Sequence, residues 1–194
     1  MNGYEKRTQL KKQSILNTAR ELFARRGVTD VKISEIAARA NVSQVSIYNY
    51  FGDKNKLARE VLTVMLNEVI REYDKILNRD IPFPEKLTII MTKKHAAVIE
   101  ASSSLFSANA WSDKVLRQVY REAALIKSTH IYLKFIQLGK KEGAIEKWIP
   151  DEAILSYLST SITIMQDPEY LKTSDAYKLG IFRLFLYGLL GKKE

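Results

Sequence analysis

The residues best suited to chemistry in this sequence lie in one short stretch, residues 33–51, which reads ISEIAARANVSQVSIYNYF. Gln44 carries an amide that can bond bidentately to the N6 and N7 edge of adenine in the major groove of DNA. Ser46 and Asn49 offer further hydrogen-bonding groups for bases or phosphates, and Val45 suits contact with a thymine methyl. These residue types favour recognition of duplex DNA.

Two short helices and a tight turn must position these side chains. Apolar residues at helical spacing predict one buried stripe on the first helix, formed by Ile33, Ile36, Ala37 and Ala40. Asn41 fits a left-handed helix end, and Ser43 fits the N-cap of the next helix. The second helix is expected to be held to the core by Val42, Ile47, Tyr48 and Phe51. Two helices joined in this way match the helix-turn-helix, whose second helix enters the major groove.

The segment SEIAARANVSQVSIYNYFGDKNKL, residues 34–57, resembles the DNA-binding signature of the TetR-type repressors. Five linked elements carry the resemblance: Ile36-Ala37, Val42-Ser43, Ile47-Tyr48, Tyr50-Phe51 and Lys54. It covers roughly residues 10–60, and beyond them only the helical layout is similar.

The sequence departs from this pattern at two positions. Lys32 stands where the family usually has a capping Thr, although Glu35 of the capping box is retained, and Asn41 replaces a common Gly. The resemblance implies that the Tyr48 hydroxyl and Lys54 contact phosphates; packing alone is the alternative for Tyr48. The expected DNA-binding residues are Lys32, Ser43, Gln44, Val45, Ser46, Tyr48, Asn49, Tyr50 and Lys54.

Charge and composition are compatible with this interpretation. The 194 residues carry a formal net charge of +9, and residues 1–60 hold 12 Lys or Arg against 6 Asp or Glu. A basic head of this kind attracts phosphates, although a merely solvated basic surface is the alternative. The sequence has no cysteine, no signal-peptide pattern and no apolar run that could span a bilayer, since GIFRLFLYGLLG is short and contains Arg183. We expect a cytoplasmic protein.

Helical periodicity continues to the end of the chain and predicts an all-α fold. A helix ending at Gly27 should complete a three-helix head, residues 1–53, with Lys11 and Lys12 placed to lie along the DNA backbone. The remainder, residues 54–194, is expected to form a helical bundle. Its predicted helices span about 54–78, 85–109, 112–142, 151–166 and 174–190, and a bend near residues 127–129 in the third is left open.

The sequence contains few residues suited to catalysis. His95 and His130 are the only histidines, and neither has a cysteine or a metal-spaced acidic partner, so no enzyme, metal or cofactor is predicted. Apolar and aromatic residues with a few polar groups suit a small-molecule pocket, although an ordinary bundle core needs nearly the same residues. The predicted pocket residues are Met91, His95, Val98, Ser102, Phe106, Trp111, Tyr120 and His130.

The last helix carries small side chains every four residues, at Ala176, Gly180, Leu184 and Gly188. Glycine inside a helix costs about 1 kcal/mol relative to alanine, so this stripe indicates a closely packed partner helix. That helix could belong to the same chain. The resemblance implies a four-helix dimer interface built from the last two helices, and we therefore predict a homodimer through Leu158, Ile162, Tyr177, Gly180, Ile181, Leu184 and Gly188.

Together these observations predict a transcriptional regulator, most simply a repressor of a near-palindromic operator with half-sites about 34–36 Å apart. The resemblance implies that a small molecule in the C-terminal domain tilts the helix at 54–78 and releases the DNA. The alternative is a ligand-independent nucleoid-associated or division-linked DNA-binding protein. A helical enzyme or carrier with an incidental helix-turn-helix ranks third.

Overall fold

A computed structural model describes residues 2–99, 106–165 and 167–190. Within these ranges the side chains of residues 91, 94–99, 108, 125, 126, 161, 162, 165, 168 and 171 lie outside the description. The described residues form helices and no strand, which confirms the predicted all-α fold. The helices are α1 (Gly3–Arg26), α2 (Ile33–Arg39), α3 (Gln44–Phe51), α4 (Lys54–Leu77), α5 (Phe83–Ile99), α6 (Ala108–Trp111), α7 (Lys114–Lys141), α8 (Asp151–Met165), α9 (Pro168–Lys172) and α10 (Asp175–Leu190).

The chain divides into two compact units. The first comprises Met1–Leu66 with Leu105–Ala124, and the second comprises Asn67–Ser104 with Leu125–Glu194. The first unit therefore contains α6, the start of α7 and about half of α4 in addition to α1, α2 and α3. The functional boundary between residues 53 and 54 stays a prediction.

Local capping signals set the ends of the helices in the first unit. Gly27 ends α1 with φ +81° and donates its N–H to the carbonyl of Phe23. Asn41 lies in the left-handed region at φ 55°, as predicted, because Asn tolerates this conformation better than most residues. Ser43 accepts a hydrogen bond from the N–H of Ser46, and Asp53 accepts one from the N–H of Lys56 at 2.8 Å. These residues cap α3 and α4.

The core of the first unit uses the predicted stripes. Ile15 and Ala19 of α1 and Ile36 of α2 are fully buried, and Ile47 of α3 is 1% exposed. The Ser14 hydroxyl also donates to the carbonyl of Ala40 at 3.1 Å, which fastens α1 to the end of α2. These contacts form the expected three-helix head.

The second unit has its own apolar core. Its buried residues include Leu77 of α4, Phe83 of α5, Ile136 of α7, Ile154 of α8 and Leu189 of α10. Phe83 and Phe135 pack with ring centroids 4.9 Å apart. The helices α8 and α10 pack together within this unit.

Some helix bounds differ from the predictions. The predicted helix at 85–109 is instead α5, which begins at Phe83, while Ala108–Trp111 forms the separate α6 behind its N-cap Ser107. Pro84 is tolerated because the first turn of a helix needs no N–H from it. The α7 helix is continuous past residues 127–129, and Asp167 caps the short α9, which was predicted only as a break.

Candidate nucleic-acid interface

The exposed face of α3 carries the residues predicted to read DNA. Gln44, Val45, Tyr48 and Asn49 are all exposed, with 66% of Val45 and 48% of Tyr48 accessible. Their spacing of i, i+1, i+4 and i+5 places them on one side of the helix, while Ile47 anchors the opposite side in the core. The prediction that Tyr48 holds α3 to the core is therefore only partly met by its packing, since about half of this side chain remains accessible.

Local hydrogen bonds already occupy Ser43 and Ser46. The Ser43 hydroxyl oxygen lies 3.1 Å from the Ser46 backbone nitrogen and 2.9 Å from the Ser46 hydroxyl oxygen. This pair fixes the first turn of α3. Hydroxyl oxygens retain further hydrogen-bonding capacity, so these bonds do not prevent DNA contact by either residue.

Tyr50 and Lys12 extend the exposed face toward α1. The Lys12 ammonium lies 5.6 Å from the centroid of the half-buried Tyr50 ring, a cation–π distance. Phe51 packs edge-on against the same ring, with centroids 6.4 Å apart. The contact brings a positive charge of α1 next to the recognition helix.

The start of α2 shows the consequence of the unusual Lys32. This exposed residue is the N-cap of α2 and makes no side-chain capping hydrogen bond. Glu35 pairs with Arg26 and, at 3.2 Å, with Arg39. The capping box is therefore incomplete, because the exposed Lys32 side chain accepts no hydrogen bond from a backbone N–H of α2.

Lys54 has a structural use that its sequence position did not indicate. Its ammonium donates to the backbone carbonyls of Thr29 and Val31, both at 3.1 Å. The cation at the first turn of α4, which is unfavourable for the helix dipole, thus has partners inside the protein. Its predicted phosphate contact stays a prediction.

The predicted ligand pocket is described only in part. Phe106, Trp111 and Tyr120 form an edge-to-face aromatic cluster with centroid distances of 5.1–6.1 Å. Burial raises the pKa of Tyr120 to about 12. Ser102 and the side chains of Met91, His95 and Val98 lie outside the described residues.

His130 belongs to the second unit. Its side chain is exposed, and its electrostatic partner is Asp74. An exposed position on α7 is an ordinary environment for a histidine and does not require a ligand cavity. The predicted place of His130 in a ligand pocket stays a prediction.

The predicted dimer residues are exposed to different degrees. On α10, Tyr177 is 53% exposed, Leu184 is 66% exposed and Ile181 is half-buried. Leu158 of α8 is half-buried as well. Among the described atoms, a Cβ added to Gly180 would meet none within 4 Å, whereas one added to Gly188 would collide with Tyr157. The side chain of Ile162 lies outside the described residues. Sequence reasoning missed Tyr187, which is 66% exposed on the same helix.

Neither metal-binding nor membrane-spanning features occur in the part of the chain that the structure describes. No group of three or more His, Asp or Glu side chains there is placed to hold a metal ion. No described helix is long and apolar enough to cross a membrane.

Comparison with known proteins bears directly on the α2–α3 region. Residues 15–61 match the model of the bacterial regulatory proteins of the tetR family. This region of the chain is therefore a DNA-binding domain of the TetR type. A chain with this domain is a DNA-binding transcriptional regulator.

Relatives extend the similarity over most of the chain. YhgD, an uncharacterized HTH-type transcriptional regulator of Bacillus subtilis, is 26% identical over 82% of this chain and 84% of its own length. The HTH-type transcriptional repressor KstR2 of Rhodococcus jostii is 24% identical over 76% of this chain and 74% of its own. The structure of FadR from Bacillus subtilis in complex with stearoyl-CoA has a TM-score of 0.61 at 19% identity and covers 91% of this chain and 98% of FadR. At that identity the structural similarity shows a shared fold.

Proposed function

We propose that this chain is a homodimeric repressor of the TetR type that releases a near-palindromic operator when a small molecule binds its C-terminal domain. The observation that carries the DNA-binding part is the exposed face of α3, on which Gln44, Val45, Tyr48 and Asn49 stand together. The Gln44 amide, the apolar Val45 side chain and the hydrogen-bonding groups of Tyr48 and Asn49 can together distinguish bases in the major groove. Because a repressor must reach the DNA that it regulates, we place the protein in the cytoplasm.

The proposed dimer is supported by α10. Tyr177, Leu184 and Tyr187 expose large apolar surfaces on one helix, and no atom of the described side chains or backbone lies within 4 Å of the position of a Cβ on Gly180. Exposed apolar patches of this kind mark interaction surfaces, and a second copy would bury them. A symmetric pair of chains would present two recognition helices to half-sites about 34–36 Å apart.

The proposed response to a small molecule is supported by relatives. KstR2 is named a repressor, and FadR was solved with stearoyl-CoA. A ligand releases DNA only if it binds the DNA-incompetent form better, with a coupling typically of about 1–3 kcal/mol. We propose no catalytic activity and no cofactor for this chain.

The first experiment selects duplexes from a random-sequence library with the purified full-length protein and measures their affinity as a function of salt. We expect one enriched, near-palindromic sequence and a steep fall of affinity with salt. The double variant Gln44→Ala/Tyr48→Ala should bind the selected duplex at least tenfold more weakly, since a good bidentate base contact alone gives about 1–3 kcal/mol of discrimination.

Gln118→Ala is the control, because Gln118 is an exposed glutamine on α7 outside the proposed interface. It should bind the selected duplex like the unsubstituted protein. Full sequence-specific affinity of the double variant would contradict the proposed interface.

A further inference from the structure

The turn between α1 and α2 is held by residues that lie far from it in sequence. Gly27 begins this turn at φ +81°, and a Cβ added to it would lie 2.6 Å from both Cβ and Oδ2 of Asp113. Only glycine leaves room for such a close approach. Asp113 is 86 residues further along the chain, at the N-cap position of α7.

The Asp113 carboxylate accepts four hydrogen bonds. One oxygen, Oδ2, accepts from the backbone N–H of Val28 and, at 2.7 Å, from that of Thr29. The other oxygen accepts from the Thr29 hydroxyl at 2.9 Å and from the N–H of Val115 at 2.8 Å. Burial raises the pKa of this carboxyl, but the hydrogen bonds from Thr29, Val115 and Val28 outweigh burial and lower it below its usual range. One carboxylate therefore caps α7 and binds the turn.

A cation holds the other side of the same turn. The Lys54 ammonium donates to the carbonyls of Thr29 and Val31 at 3.1 Å each. The N–H, hydroxyl and carbonyl of Thr29 are thus all bound, the first two by Asp113 and the third by Lys54. We refer to Asp113, Thr29 and Lys54 as the turn clamp.

The position of α2 depends on this turn. Its N-cap residue, Lys32, makes no side-chain capping bond, and the ion pair of Glu35 in its first turn with Arg26 joins α2 to the end of α1 rather than to the turn. Val28 and Val31 are fully buried on either side of Thr29 and tie the turn to the core. Ser107 adds two bonds to the end of α1, from its N–H to Ala24 and from its hydroxyl to Arg25, both at 2.8 Å.

We propose that Asp113 and Lys54 are positioning residues for DNA recognition, which fix the turn before α2 and through α2 the direction in which α3 presents its exposed face. Neither residue needs to touch DNA for this role. Phosphate contacts give affinity to any duplex, whereas the alignment of α3 gives preference for one sequence. Loss of the turn clamp should therefore lower specific binding much more than non-specific binding. This inference rests on the proposed operator binding.

The test compares the full-length protein with Asp113→Asn, Thr29→Val and Lys54→Met. Binding is measured to the duplex selected by the unsubstituted protein and to a scrambled duplex of the same composition. The quantity compared is the ratio of the two affinities, because this ratio does not depend on the fraction of protein that is folded. Asp30→Asn is the matched control, since it makes the same charge change at an exposed position next to Thr29.

The sign of the Asp113→Asn effect distinguishes positioning from electrostatics. Removing a negative charge from a DNA-binding unit should tighten binding to every duplex, and Asp30→Asn should show that effect alone. We expect Asp113→Asn to lower the specificity ratio about tenfold or more, because it disrupts several hydrogen bonds to a charged group. Thr29→Val, which removes one of these bonds, should lower it severalfold. Unchanged ratios for both variants would overturn the proposal.

Lys54→Met tests the second half of the turn clamp. A lost phosphate contact would reduce the slope of log affinity against log salt by about 0.9 per contact. We expect the slope to stay unchanged while the specificity ratio falls, and a reduced slope with an unchanged ratio would overturn the role given to Lys54. Failure of the unsubstituted protein to select any sequence would instead contradict the proposed function itself.

Discussion

Tyr157 of α8 occupies the space beside Gly188 of α10. A Cβ on Gly188 would lie 3.0 Å from Cζ of Tyr157 and closer still to the Tyr157 hydroxyl oxygen. The Tyr157 hydroxyl donates a hydrogen bond to the carbonyl of Phe185 at 3.2 Å. The rings of Tyr157 and Phe185 are also in contact, with centroids 5.1 Å apart. Gly188 therefore serves packing within the chain, whereas at Gly180 no atom of the residues that the structure describes lies within 4 Å of an added Cβ.

Gly188→Ala should consequently destabilise the folded protein. Overpacking costs about 1–3 kcal/mol, and replacing glycine in a helix returns up to about 1 kcal/mol, so we expect a net loss of about 1 kcal/mol in the free energy of unfolding. Chemical denaturation measures this quantity. In a Tyr157→Phe background, where the nearest oxygen is absent, the same substitution should cost less, and an equal cost in both backgrounds would contradict this packing.

Leu184→Glu should dissociate the proposed dimer. Leu184 is 66% exposed in the single chain, so a glutamate there is compatible with the fold, but a second copy would bury the charge without a partner. Sedimentation velocity should show monomers at a concentration at which the unsubstituted protein is dimeric. Circular dichroism serves as the control, because the helix content should not change. An unaltered dimer would place the interface elsewhere.

The sequence predicted the elements that depend on short-range signals. Gly27, Asn41, Ser43 and Asp53 each end or begin a helix where their own backbone preferences require it, and the stripe containing Ile36 is buried as its spacing indicates. The same signals predicted that Gln44 and Asn49 face outward, because Ile47 must face inward.

The sequence did not predict features that depend on contacts between distant residues. The separate α6 follows Ser107, whose hydroxyl binds Arg25 across 82 positions of the chain. The use of Lys54 and Asp113 to hold Thr29 has no periodic or motif signal, since it arises only once the helices pack. Such bonds between side chain and backbone across the fold leave no pattern in a single sequence.

The stability of the protein should fall in acid partly through Asp113. Its folded-state pKa lies below the ordinary value of 3.8, so its contribution is complete above that value and is lost as the pH falls through the lowered pKa. Asp113→Asn should therefore lower the free energy of unfolding near neutral pH and make it less dependent on pH below about 5. Denaturation curves between about pH 3 and pH 7 measure this change. Asp30→Asn serves as the control for the loss of one negative charge, and equal slopes for Asp113→Asn and the unsubstituted protein would contradict the role of Asp113.

Lys32 has the backbone conformation of an N-cap residue at the start of α2 but provides no capping side chain. Its backbone, at φ −93° and ψ 142°, has the extended conformation of an N-cap residue, but its side chain accepts no hydrogen bond. Lys32→Thr should place a hydroxyl oxygen within reach of the first-turn backbone N–H groups and raise the free energy of unfolding by about 0.5–2 kcal/mol. Thermal and chemical denaturation measure this gain.

Lys32→Ala is the matched control, because it removes the charge without adding a cap. It should show no gain in stability. If the Lys32 ammonium contacts a phosphate, both variants should reduce the slope of log affinity against log salt by about 0.9 per lost contact. Lys32→Thr would then be more stable but bind DNA more weakly, because the threonine hydroxyl does not replace the lost positive charge. A stabilised variant with an unchanged slope would instead remove Lys32 from the DNA interface.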